Sequence, residues 1–185
     1  SKRQTPFPVT WLISDARNDA ALERAMARLP RGSGLIFRHY HLSEDERRAR
    51  FFALKRKARL HGHCIVLAGT LQAARKWRAD GAYGSGKMLA RGSAGLRLVT
   101  VHSLRELRQA HRADAVLLSP VFPTRSHPDG AVLGPLRFLL IARQARVPVI
   151  ALGGMTARRA GRFTGHGWAA IDGLTGCDQR IPEDS

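Results

Sequence analysis

The sequence predicts an α/β fold, a small (β/α)8 TIM barrel with a truncated C-terminal helix. Three observations predict it: eight short apolar runs of strand length, amphipathic or capped stretches between them, and small, polar or turn-forming residues where the runs end. The first run is Thr10–Ser14 (TWLIS), and the stripe Leu22, Met26 and Leu29 behind it marks one apolar helix face. The second is Gly34–Arg38 (GLIFR), followed by a helix whose start is signalled by a capping box of Ser43 and Glu46. Cys64–Ala68 (CIVLA) is the third, and the weaker Gly81–Tyr83 takes the fourth place in a stunted unit, GAYGSGKMLARGSAG. Leu96–Val101 (LRLVTV) is the fifth, with a second capping box at Ser103 and Glu106. Ala115–Leu118 (AVLL) is the sixth; the helix after it opens at Pro135, where a first-turn proline is tolerated, and Leu136, Leu139, Leu140 and Arg143 alternate over its faces. Val147–Leu152 (VPVIAL) and Trp168–Ile171 (WAAI) complete the set, and the remaining GLTGCDQRIPEDS leaves the usual closing helix missing or vestigial. An open doubly wound sheet is the competing arrangement, but the alternation is uninterrupted and the first turn reads SDARND where a dinucleotide-binding sheet carries GxGxxG.

Composition narrows the function classes. At 185 residues, 44% hydrophobic and 24% charged, the chain suits one globular core, so a single domain over residues 1–185 is expected. No apolar run approaches the roughly 18 residues that span a bilayer. The leading SKRQTPFPVTWLIS lacks the apolar core and cleavage site of a signal peptide, so a cytoplasmic location is expected. Cys64 and Cys177 lie far apart, and Cys64 falls inside an apolar run, so no disulfide or metal framework is implied. Lys and Arg number 31 against 14 Asp and Glu, a formal net charge of +17 that attracts polyanions and phosphorylated metabolites. The arginines are nevertheless strewn over every predicted helix, and aromatics are only 6%. A solvated basic surface is therefore the leading reading, phosphate attraction an added role, and polynucleotide binding the least favoured.

The chemistry gathers after the sixth and seventh runs. The first segment is Ser119, Pro120, Val121, Phe122, Pro123, Thr124, Arg125, Ser126, His127 and Pro128; the second is Gly153, Gly154, Met155 and Thr156. A glycine pair there lets backbone amides approach a phosphate at a helix N-terminus, and barrels often bind phosphate between strands seven and eight. A tight strand-to-helix turn explains the same pair equally well.

SPVFPTRSH and PVIALGGMT, in this order and at these strand ends, resemble the corresponding segments of the thiamine phosphate synthase and thiazole tautomerase family. Similarity extends more weakly over the chain: LIS with Asp15 at strand one, Arg38 at the end of strand two, and VTVHS at strand five, with Thr100 where the family has serine. The family's synthase joins a pyrimidine methyl diphosphate to a thiazole phosphate through a pyrimidine carbocation and releases diphosphate. By position, the resemblance implies Thr124 and Ser126 on phosphate or diphosphate oxygens, Arg38 paired with diphosphate, and the Gly153 and Gly154 amides on thiazole phosphate. It also implies a small phosphorylated heterocyclic ligand, and it is compatible with a homodimer.

The departures matter as much. Where the synthase carries Asn-Asp after strand three and an aspartate after strand four to hold Mg²⁺, this chain reads VLAGT and AYGSGKML, so no Mg²⁺ and no other cofactor is expected. Lys87 is either a replacement charge or a helix-surface lysine. His127 stands where the family has a diphosphate-binding lysine, Ile36 and Tyr40 replace the glutamine and lysine flanking Arg38, and Asp172 replaces a strand-eight serine. Beside a phosphate Asp172 is repulsive, so it points away or the phosphate site is altered. The tautomerase branch also lacks the metal site, but its catalytic histidine position is Pro120 here; His127 is the substitute catalytic candidate and His39 a second. Three expectations follow: a family barrel that binds a phosphorylated thiazole or thiamine-type ligand, with weak synthase or metal-free tautomerase chemistry; a non-catalytic ligand-binding relative; and, least favoured, a nucleic-acid scaffold.

Overall fold

Strands buried on both faces read as continuous apolar runs, which is why the eight runs map onto eight strands. In the computed structural model, which describes residues 6–92 and 94–176, these are β1 Thr10–Ile13, β2 Gly34–Phe37, β3 Cys64–Ala68, β4 Gly81–Ser85, β5 Leu96–Val101, β6 Ala115–Leu118, β7 Val149–Ala151 and β8 Gly167–Ala170. Cys177, and most of the stretch expected to lack a closing helix, lie outside the described residues. Each strand pairs in parallel with the next, and β8 returns to β1, so the sheet is a closed barrel. Trp11 lies in register with Gly34 on one side and Ala169 on the other. The expected seventh run loses its first two residues because Pro148 has no N–H for the ladder; its carbonyl still accepts from the Val116 amide at 3.0 Å.

The helices are α1 Leu22–Arg28, α2 Glu44–Leu60, α3 Leu71–Lys76, α4 Gly86–Leu89, α5 Leu104–Gln109, α6 Gly134–Ala142 and α7 Ala157–Ala160, with a 3-10 helix over Ala16–Ala21 leading into α1. The four residues of α4 match the stunted unit expected there. The Ser43 box forms completely: the hydroxyl accepts from the Glu46 amide and the Glu46 carboxylate accepts from the Ser43 amide. The second box forms by half. Ser103 accepts from the Glu106 amide, but the Glu106 carboxylate turns to the backbone N–H and Nδ1 of His102. Among the described residues no helix is long and apolar enough to cross a membrane.

Alternation along each strand sorts the core into two layers. Trp11, Ile13, Ile36, Val66, Tyr83, Leu98, Leu117 and Ile150 fill the barrel interior, while Leu12, Phe37, Leu67, Val116 and Leu118 face the helices. At the amino end the Trp11 indole plugs the barrel, its Nε1–H donating to the Pro8 carbonyl at 3.0 Å. Only glycine fits opposite: a Cβ on Gly34 would lie 2.2 Å from Trp11 Cε3. With that end filled, the carboxyl end and its loops are left to form a site.

Candidate functional site

The end of β1 is where the most polar contacts collect. Asp15 caps the 3-10 helix by accepting from the Arg17 amide at 3.2 Å. Asn18, buried beneath it, donates to the Ile13 and Ile171 carbonyls and thereby ties the ends of β1 and β8 together. Arg38, at the end of β2, leans toward β1: its Nε donates to the Ser14 carbonyl at 3.1 Å and its Nη2 to Asp15 Oδ2 at 2.9 Å. Its backbone amide donates to Ser14 Oγ at 2.8 Å.

The same serine hydroxyl meets His39 Nδ1 at 2.8 Å, and His39 Nε2 meets Asp19 Oδ1 at 2.6 Å. A carboxylate only accepts, so Nε2 carries the proton and Nδ1 accepts from Ser14. Arg50 on α2 completes the row, donating to Asp19 and forming an ion pair with Glu23. Burial holds the His39 imidazole below its usual value, against the pull of Asp19. Burial alone would raise the Asp19 carboxyl, but hydrogen bonds from His39 and Arg50 hold it below the usual range. With its side chain wholly buried and both ring nitrogens engaged, His39 is a strut between the end of β1 and the 3-10 helix rather than a group facing a ligand.

The β6 loop lies across the mouth. Two hydrogen bonds close its base, from the Leu133 amide to the Pro120 carbonyl (2.8 Å) and from the Gly134 amide to the Val121 carbonyl (3.0 Å). Within it, Thr124 Oγ1 accepts from the Ser126 amide at 3.0 Å, and the Thr124 carbonyl accepts from the His127 amide at 3.2 Å. Thr124 thus shapes the loop, and His127 sits at its exposed tip. Ser126 Oγ accepts from Arg17 Nη2 at 3.2 Å, while Arg17 Nε donates to Asp172 Oδ1 at 3.0 Å. The Asp172 carboxylate is therefore ion-paired with Arg17 at the mouth.

Gly153 and Gly154 end β7 with φ of +105° and +59°, values that L side chains rarely adopt. A Cβ on Gly153 would lie 2.7 Å from Pro120 Cα, and one on Gly154 would lie 2.5 Å from the Pro123 carbonyl oxygen. The β6 loop therefore packs directly on the glycine pair, and this packing alone demands glycine at both positions. Arg159 staples the contact, donating to the Gly154 carbonyl at 2.5 Å with its guanidinium 4.4 Å from the Phe122 ring centroid.

At the ends of β3 and β4, Thr70 and Ser85 accept from the Ala73 and Met88 amides, each at 3.1 Å, and so cap α3 and α4. These residues offer neutral hydroxyls and no carboxylate, a poor donor set for Mg²⁺. Lys87 lies exposed in α4. Arg17, Ser14, Asp19 and the inward-facing Tyr83, whose hydroxyl burial pushes above its usual pKa, escaped the sequence reading. Only the alternation that turns Tyr83 into the barrel was a signal for any of them.

The sequence model of the thiamine monophosphate synthase family matches residues 10–174. Over 59 residues the chain is 37% identical to the protein named "Putative thiamine-phosphate synthase 2" of Aquifex aeolicus (strain VF5), a match covering 31% of this chain and 32% of that relative's length. In fold it is similar to a thiamine phosphate pyrophosphorylase from Pyrococcus furiosus, with a TM-score of 0.75 at 22% identity over 90% of this chain and 87% of the other. A thiamine phosphate pyrophosphorylase from Bacteroides thetaiotaomicron superposes with a TM-score of 0.63 at 15% identity, covering 97% and 90% of the two chains.

Proposed function

The chain belongs to the thiamine monophosphate synthase family, and from that premise we propose that it binds a phosphorylated heterocycle of the thiazole phosphate type at the barrel mouth, without Mg²⁺. The observation that carries the proposal is the contact of Arg17 with Ser126, which draws the β6 loop over the end of β1 and sets hydroxyls beside guanidinium groups. Hydroxyls of Thr124 and Ser126 and amides of Gly153 and Gly154 supply neutral donors, and Arg38 supplies positive charge; together these suit phosphate oxygens. The metal-free half rests on the stretches VLAGT and AYGSGKML at the ends of β3 and β4, which carry no carboxylate and whose Thr70 and Ser85 hydroxyls cap helices. Departure of diphosphate from a pyrimidine cation would then lack its main charge partner, so ligand binding rather than synthase turnover is the proposed role.

A metal-free proton transfer of the tautomerase type is the second reading. His127 is its candidate acid or base, favoured because it lies on the exposed tip of the loop while both nitrogens of His39 are taken. Titration with thiazole phosphate, followed by incubation with thiazole phosphate and the pyrimidine methyl diphosphate with and without Mg²⁺, tests both. The expected result is saturable binding of thiazole phosphate and no Mg²⁺-dependent thiamine phosphate. Turnover at an ordinary enzymatic rate that requires Mg²⁺ refutes the metal-free claim, and absence of binding refutes the ligand. Isomerisation of a carboxythiazole phosphate that is lost in His127→Ala establishes the second reading.

A further inference from the structure

Three loops meet at one guanidinium. Arg17, after β1, donates through Nε to Asp172 after β8 and through Nη2 to Ser126 after β6. Nε–H and Nη2–H form the side edge of the guanidinium, the fork that grips two oxygens of a carboxylate or phosphate at once. Here the fork is divided between one carboxylate oxygen and one neutral hydroxyl. The Arg17 and Asp172 side chains are 30% and 21% exposed, so the pair lies at the solvent edge of the mouth, where a soluble anion can reach it. Arg38 offers the contrast. Its own side edge is closed by the Ser14 carbonyl and by Asp15, and the first of these is backbone at the end of a barrel strand. Both partners of Arg17 are side chains that a rotamer change releases.

We infer that Arg17 is an anion-binding residue of the mouth, taking two oxygens of a phosphate monoester or diphosphate across its Nε and Nη2 edge, and that Asp172 is the resident counter-ion the incoming anion displaces. The inference rests on the phosphorylated ligand proposed above and names the residue that reads its charge. Ser126 Oγ, freed from accepting, is then placed to donate to the same phosphate. Asp172 also sets a threshold: it neutralises Arg17 in the unliganded barrel, so only an anion able to fill both arms of the fork outcompetes it.

Calorimetric titration with inorganic pyrophosphate at constant ionic strength tests this on the wild type, Arg17→Gln, Arg17→Lys, Asp172→Asn and the double variant Arg17→Gln/Asp172→Asn. Asp45→Asn, in the first turn of α2 and outside the three loops, controls for the change in net charge. Arg17→Gln is expected to weaken binding about ten-fold or more, the scale of one charge-assisted contact, and Arg17→Lys to restore little because an ammonium lacks the fork. Asp172→Asn is expected to tighten binding several-fold beyond Asp45→Asn, and to do so only when Arg17 is present. Thermal melts by circular dichroism confirm that each variant is folded; if Arg17→Gln is not, the Asp172→Asn comparison alone decides. Wild-type affinity in Arg17→Gln with loss in Arg38→Gln, or no tightening in Asp172→Asn, overturns the role of Arg17 and leaves the ligand proposal standing. Failure of wild type and Asp172→Asn to bind either pyrophosphate or thiazole phosphate overturns both.

Discussion

Replacing Gly153 with alanine tests whether the glycine pair is explained by the β6 loop that lies on it. At φ +105° an L residue is strained, at a cost of about 1–3 kcal/mol. The added Cβ would also sit 2.7 Å from Pro120 Cα, 2.8 Å from Pro120 Cβ and 2.9 Å from the Val121 nitrogen. Those atoms are held in place, because the Val121 amide donates to the Leu152 carbonyl at 2.9 Å and the Phe122 amide to the Gly153 carbonyl at 3.1 Å. Overpacking against such a surface costs about 1–3 kcal/mol more. Gly153→Ala should therefore destabilise by about 2–6 kcal/mol, a large part of the roughly 5–15 kcal/mol typical of a domain. Gly165 provides the reference: its φ is +86°, but nothing lies within 4 Å of an added Cβ, so Gly165→Ala bears the conformational cost alone. Urea unfolding followed by circular dichroism and tryptophan fluorescence measures both. If Gly153→Ala costs no more than Gly165→Ala, the loop does not rest on the turn and the packing explanation fails.

Burial holds the imidazoles of His39, His63 and His166 below their ordinary value of 6.5. Below that pH the unfolded chain binds more protons than the folded one, so stability present above 6.5 declines as the pH falls; a urea midpoint equal at about pH 7.5 and about pH 5 contradicts this. The Cys64 thiol is pushed up to about 12, first by burial and then by Asp80, so in a Cys177→Ser background it should resist a thiol reagent at about pH 8 until urea unfolds the chain; rapid native labelling refutes it. Lys55 is buried and donates to the Arg78 carbonyl at 2.6 Å, holding a turn whose Arg78 has φ +54°. Lys55→Met keeps the volume but loses the charge-assisted bond, an expected cost of about 1.5–3 kcal/mol in urea unfolding; an unchanged midpoint shows that the bond contributes nothing net.

The two capping serines show how far local reading carries. Ser43 and Glu46 close on each other as their spacing implies, whereas Glu106 keeps its amide on Ser103 but turns its carboxylate to His102, an alternative partner that the box motif does not consider. Gly153 and Gly154 were visible as special positions, yet a turn and a phosphate cradle looked alike, because the atoms that exclude a Cβ belong to Pro120, Val121 and Pro123, some 30 residues earlier in the chain. His39 was legible as a titratable group at a strand end. Its burial between Ser14 and Asp19 was not, since both partners lie 20 or more positions away.

By itself the sequence determined the barrel and its family: strand runs, helix starts and the segments around SPVFPTRSH and PVIALGGMT are each encoded by neighbouring residues, and their order sets the alternation. Tertiary structure alone decided which side chains share the mouth. Closure of the sheet pairs β8 with β1, and that single step sets Arg17 against Asp172, 155 positions away, and against Ser126, 109 positions away. No local pattern contains such a contact, because it follows from closing the circle of strands and not from any one of them.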